Sequence, residues 1–139
     1  MQHGNPESDD SAFVDAFETL TLDPALFNHR GHLRLAWCLL SWLPLPDAAQ
    51  RCADDIRRFA IHHGQSQKFN VTMTRAFMHI VGNRMRRMQV GDDFNRFCER
   101  NPDLLRDARG IIGRYYSAKV LDDPAARLTF IEPDLQPLP

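Results

Sequence analysis

The segment Asn28-His-Arg-Gly-His-Leu-Arg-Leu-Ala-Trp-Cys-Leu-Leu-Ser-Trp-Leu-Pro-Leu-Pro46 decides the fold. Each residue of a helix advances about 100°. On that wheel Leu33, Ala36, Trp37, Leu40 and Leu43 share a broad apolar face with Leu39, while Arg30, Arg34 and Ser41 cluster opposite. The period predicts a helix from about Asn28 or His29 to Leu43, stopped by Pro44 and Pro46. Trp37, on the central stripe, is expected to be buried.

The same period extends in both directions. A first helix, capped by Asp10-Ser11, carries Phe13, Val14, Phe17 and Leu20 and ends at Leu22-Asp23-Pro24. A third runs from Asp47 to His63, with Gly64 past its end. A fourth opens near Asn70 or Thr72 and continues to Gln89. Shorter helices, Asp92 to Arg100 and Asp103 to about Arg109, flank the break at Asn101-Pro102. Gly110 and Gly113 leave Ile111 to Val120 ambiguous. No stretch alternates like a strand between hairpin turns. The expectation is an all-α, compact bundle of about five to six helices.

The chain has 139 residues, close to one domain of roughly 100–150. Residues 1–10 are polar and expected to be a disordered tail, 11–123 a single helical domain, and 124–139 an extended tail. That tail holds Pro124, Pro133, Pro137 and Pro139, and its Leu128, Phe130, Ile131, Leu135 and Leu138 suit packing along the body. With 43% apolar and 25% charged residues the chain can bury a core. A net charge of −1 supplies no basic field for nucleic acid or anionic lipid. The longest apolar run, Leu35 to Leu45, contains Ser41 and Pro44 and falls short of the roughly 20 residues of a membrane span. The opening Met-Gln-His-Gly-Asn-Pro-Glu-Ser-Asp-Asp lacks a basic and then apolar leader, so a cytoplasmic location is expected. Cys38, Cys52 and Cys98, an odd number inside apolar helical patterns, are expected to be buried thiols.

Polar residues on the apolar stripes are the candidates for function. His29 lies four before Leu33 and His32 four before Ala36, which puts both imidazoles on the core-facing side one turn apart. Such a pair can chelate a divalent transition metal from one helix, or one ring can act as a base. The competing reading is that both are partly buried and bonded to backbone. A metal needs further ligands, and only His63, at the end of an antiparallel third helix, could approach the same place. In Phe69-Asn-Val-Thr-Met-Thr-Arg75, Asn70, Thr72 and Thr74 exceed what capping requires and could line a polar pocket mouth. Arg84-Met-Arg-Arg87, followed by Asp92 and Asp93, reads as a solvated helix face. Of Tyr115 and Tyr116, one is expected in the core and the other as a surface or pocket hydroxyl.

Phe27-Asn-His-Arg-Gly-His-Leu-Arg-Leu-Ala-Trp37, Phe69-Asn-Val-Thr-Met-Thr74, Tyr115-Tyr-Ser117, Ala126-Arg-Leu-Thr-Phe130 and Pro133-Asp-Leu-Gln-Pro-Leu-Pro139 resemble segments of a group of short bacterial helical proteins. The likeness covers about Phe27 to Pro139. In that group the second segment often reads aromatic-His-x-Thr, and the resemblance implies three histidines from two helices arranged like a facial metal site. This chain has Asn70 at the third position, a weaker, neutral ligand. The resemblance implies no particular reaction.

Two readings result. One is a small-molecule-binding protein or enzyme with a pocket between the starts of the second and fourth helices. There His29 and His32 serve as base or metal ligands, and Asn70, Thr74, Tyr115 and Tyr116 bind the ligand. The alternative is a non-catalytic helical interaction module or homodimer with structural histidines. Neither reading involves nucleic acid or membrane.

Overall fold

A computed structural model describes residues 6–139, with side chains from Asp10 onward. The expected tail over residues 1–5 lies outside the described residues. The fold is all-α. Its long helices are α1 (Pro6–Glu18), α2 (His29–Trp42), α3 (Leu45–His62) and α4 (Val71–Met85). The short ones are α5 (Phe94–Arg100), α6 (Pro102–Arg106), α7 (Ala108–Ile112), α8 (Ala118–Leu121) and α9 (Pro124–Leu128). No strand occurs among the described residues. α3 packs along α4, α2 lies against both, α1 covers α2 and α3, and α9 sits on α4.

The boundaries follow from local chemistry. Asn28 Oδ1 accepts the Gly31 N–H at 2.9 Å to open α2, and Asn70 Oδ1 accepts the Met73 N–H at 2.9 Å to open α4. Pro44 caps α3 and Pro46 sits in its first turn, where a missing N–H costs nothing. Past α3, Gly64 takes φ +68°, with Gln65 N–H bonded to Ala60 O and Gly64 N–H to Ile61 O. α1 ends with the same pair of bonds around Leu20, a non-glycine residue at φ +64°. Its left-handed backbone is held by Thr21 N–H to Ala16 O at 2.9 Å.

Several expectations need correction. α1 begins at Pro6, ahead of the expected Asp10-Ser11 cap. α4 ends at Met85, four residues short of Gln89. The helix expected from Asp103 to Arg109 is two, α6 and α7, because Asp107 leaves the helical region at φ −148°. The expected extended tail opens instead with α9, where Asp123 Oδ1 accepts the Ala125 N–H and Pro124 fills the first helical position. The expected five to six helices are therefore nine among the described residues.

The core gathers Phe17, Leu33, Leu35, Leu39, Met78, Val81, Phe97 and Tyr116, all essentially without solvent contact. α2 is enclosed by α1, α3, α4 and α6. It therefore buries Leu35 and Cys38 as well as Leu33, Ala36 and Leu39 of the predicted stripe, whereas Leu40 and Leu43 are partly buried. Trp37 is only partly buried, with its ring 5.1 Å from Phe97 and 5.9 Å from Phe94. The tail beyond α9 is held at several points. Thr72 Oγ1, fully buried on α4, donates to Thr129 O at 2.8 Å and accepts the Ile131 N–H at 3.1 Å. Tyr116 Oη donates to Ile131 O at 2.6 Å, and Leu135 N–H bonds Tyr115 O at 3.0 Å. Leu138 packs on the core, whereas Leu128 and Leu135 stay exposed.

Candidate functional site

The first turn of α2 and the first turns of α4 open onto one cavity of about 260 Å³. Its rim carries His29, His32, Lys68, Asn70 and Thr74, and its wall is apolar, with Ile56, Phe69, Met73, Phe77, Leu104 and Ile112. Four of the predicted site residues, His29, His32, Asn70 and Thr74, therefore face the same space. The inward direction predicted for the histidines holds only in part. Both rings lie on the stripe's side of α2, but the first turn stands above the packed layer, so both residues are exposed at the cavity rather than buried.

His32 is positioned by the loop before α2. Asp23 Oδ1 accepts the Ala25 N–H at 3.0 Å and sets a 3₁₀ turn, Pro24–Leu26, that folds back over the helix. The turn brings the Leu26 carbonyl so close to Gly31 that a Cβ there would collide with its oxygen. Phe27 then lies flat on the His32 ring, with centroids 3.8 Å apart and planes 24° apart. Phe27 is itself wedged against Phe17 at 4.6 Å and Phe59 at 5.1 Å. An exposed imidazole is thus anchored on the aromatic core of three helices.

The crowded wall around His32 disfavours a charged ring, and His29 adds repulsion, so its pKa falls below the ordinary histidine value. Neither imidazole is hydrogen-bonded within the described residues. At neutral pH His32 is consequently a neutral ring with a free acceptor and a free donor. Its lowered basicity makes it a weak general base, which argues against the base role expected for it. Cys52 also lines the cavity, but burial pushes its thiol up, so no thiolate nucleophile forms there. Cys38 and Cys98 are buried as expected, and their thiols are likewise raised, that of Cys38 to about 12.

The donor set falls short of a metal centre. Among the described residues no group of three or more His, Cys, Asp and Glu is placed to hold an ion. Asn70, at the position of the third histidine in the resembling group, has both amide atoms committed, Oδ1 to the helix cap and Nδ2 to Leu121 O at 3.2 Å. His63 does not join the cavity. Its ring packs on Phe59 at 4.4 Å and on His62 at 4.9 Å, with Nε2 buried and without a partner. The tyrosines are elsewhere too: Tyr116 is buried in the core, and Tyr115 is half-buried beside the tail. Neither tyrosine lines this cavity.

The sequence pattern missed the Phe27–His32 stack and the fastening of the tail by Thr72. Gly31 was a signal for the first, since glycine inside a helix is costly and marks a close approach. Against family models, curated proteins and solved structures alike, the chain finds no match.

Proposed function

We propose that the chain binds a small organic molecule in the cavity between the starts of α2 and α4. The observation that carries this reading is the His32 ring. It is fixed on Phe27, held neutral, unbonded to other described residues, and placed at the mouth of an apolar space of about 260 Å³. A pair of imidazoles unbonded to other described residues on the rim of an apolar cavity suits a ligand that brings its own hydrogen-bonding group. The apolar wall takes the ligand's body, and His29, His32 and Thr74 orient its polar end. Among the described residues Lys68 supplies the lining's one formal charge, and no carboxylate opposes it. The reading therefore favours a neutral or singly anionic compound with a compact apolar body.

Ligand-observed NMR with benzoate, hexanoate and benzyl alcohol as probes tests this. At least one probe should bind saturably, and both His32→Ala and Phe77→Ala should weaken it while the melting temperature changes by a few degrees at most. If no probe binds and His32→Ala unfolds the protein by more than about 2 kcal/mol, the histidines are structural and the reading fails.

A further inference from the structure

A second concavity, of about 660 Å³, lies on the opposite face of α3, between that helix, the first turns of α4 and the segment Arg127 to Phe130. Three guanidiniums face it from three elements, Arg57 on α3, Arg75 on α4 and Arg127 on α9. None is paired with a carboxylate within 4.0 Å among the described residues. Arg75 is steadied by Gln50 Oε1 at 3.3 Å and lies 5.6 Å from the Phe130 ring centre. Arg127 donates to the Phe69 and Ser66 carbonyls at 3.4 and 3.3 Å, and Arg57 makes no hydrogen bond within the described residues. The only carboxylate lining the groove among the described residues, Asp54, already accepts from Gln50 Nε2 at 3.1 Å.

A second arginine-lined hollow on the molecule shows why this matters. The concavity of about 290 Å³ around Met88 and Phe97 also holds three arginines, Arg84, Arg87 and Arg100. There Arg84 is clamped by Asp103 at 2.9 Å and Arg100 by Asp92 at 2.7 Å, so most of the charge is neutralised within the fold. In the larger groove Arg75 and Arg127 are held by neutral carbonyls, an amide and a ring, and Arg57 is unbonded among the described residues, so two positions are set while all three charges are left for something else.

We propose that this groove binds an organic phosphate monoester, its phosphoryl group held by Arg57, Arg75 and Arg127 and its apolar body laid against Phe69, Val71 and Phe130. A monoester carries about −1.5 to −2 charges near neutral pH and three acceptor oxygens. That matches several guanidinium forks converging from different elements, whereas one carboxylate would occupy a single fork. The volume exceeds what inorganic phosphate fills and falls in the usual range for small-molecule sites, about 300–1,000 Å³.

Calorimetric titration of the full chain with phenyl phosphate at low ionic strength is the test, with inorganic phosphate and phenol as separate arms. Phenyl phosphate should bind saturably, inorganic phosphate more weakly and phenol not at all, and added salt should weaken the binding. Arg57→Gln should weaken phenyl phosphate by roughly tenfold or more without moving the melting temperature, because Arg57 is exposed and supports no other described residue. Arg75→Gln should weaken phenyl phosphate as well. Lys68→Ala, at the histidine cavity, should leave phenyl phosphate affinity unchanged, which separates this groove from the site proposed above. The proposal is overturned by no saturable binding of phenyl phosphate, by phenol or inorganic phosphate binding as well, or by a loss in Lys68→Ala with none in Arg57→Gln.

Discussion

The two cavities on either side of α3 share Phe69 in their linings, yet they are built on opposite principles. The histidine cavity is walled by apolar side chains from elements packed into the core, and its rim carries the His29 and His32 rings with Lys68, Asn70 and Thr74. The arginine groove is walled on one side by the tail segment Arg127 to Phe130, and its polar groups carry full charges that the fold leaves unpaired. The difference teaches where each site's rigidity comes from. The first depends on backbone shape at Gly31, and the second on one hydroxyl, Thr72, that fastens the tail.

Gly31→Ala attacks the first dependence and should have the largest effect. The added Cβ meets a backbone oxygen of the 3₁₀ turn rather than a flexible side-chain end, so the turn or the helix must shift. Overpacking of this kind costs about 1–3 kcal/mol, and the upper part of that range is expected because the obstacle is main chain. Urea unfolding would measure it. Because Phe27 follows Leu26, the Phe27–His32 stack should loosen as well, seen as a change in the His32 ring resonances. Phenyl phosphate binding should survive. A loss below about 0.5 kcal/mol would show that the loop yields freely and does not set the histidine cavity.

Thr72→Val attacks the second dependence. The substitution keeps the shape but removes a donor to Thr129 O and an acceptor for the Ile131 N–H. Leaving buried polar groups unpaired costs about 1–3 kcal/mol. The remaining anchors, Tyr116 to Ile131 O and Asp134 Oδ1 to Ser117 N–H, put the expectation in the lower half of that range. Amide exchange should rise over residues 129–131, and phenyl phosphate should bind more weakly while the histidine cavity keeps its probe. Equal loss at both sites would mean that the tail braces the whole bundle, and the contrast drawn between the cavities would collapse.

Much of this was legible in the residues, and the failures have a physical pattern. Long helices with one apolar stripe and proline stops read correctly, because burial and backbone chemistry act together over many residues. From about Gln89 onward the elements are four to seven residues long, too short for a period to declare itself, and caps such as Asp93, Ser117 and Asp123 decide them. Asn70, Thr72 and Thr74 read as one polar cluster. The structure divides them among a helix cap, the fastening of the tail and the cavity rim, a division set by partners some fifty residues away in sequence. His63 read as the one further residue that could approach the α2 histidines, and its Nε2 is buried. Yet it packs onto Phe59 instead of reaching α2's histidines, because which neighbour a helix end meets is a property of the assembled bundle.

The third face of α3 offers the smallest effect and the sharpest contrast with the unpaired arginines. Asp55 is almost fully buried there, facing Glu18 of α1, with Arg51 and Arg58 on its own helix. Arg51 holds Glu18 in a double hydrogen bond at 2.6 and 2.7 Å, which lowers the Glu18 pKa. Asp55 accepts from Arg58 at 3.0 Å, but its Oδ2 is buried with no donor. Burial first, and the neighbouring Glu18 carboxyl second, raise the Asp55 pKa to about 7, which favours a proton on Asp55 beside Glu18. The signs follow by linkage. Glu18, lowered in the fold to about 2, contributes stability above the ordinary carboxylate range and loses it progressively as pH falls from that range to about 2. Asp55, raised in the fold to about 7, contributes fully below the ordinary carboxylate range and loses its contribution progressively as pH rises from there to about 7. Stability should therefore sag between pH 5 and pH 8. Asp55→Asn supplies a permanent N–H donor to Glu18 in place of the titrating proton. It should leave stability at pH 5 nearly unchanged and raise it at pH 8 by about 1 kcal/mol, the size of one hydrogen bond. Thermal unfolding of both proteins at the two pH values reads the difference. If the variant loses more at pH 8 than at pH 5, ionised Asp55 is favoured by Arg51 and Arg58 after all, and α3 carries a satisfied ion cluster on that face.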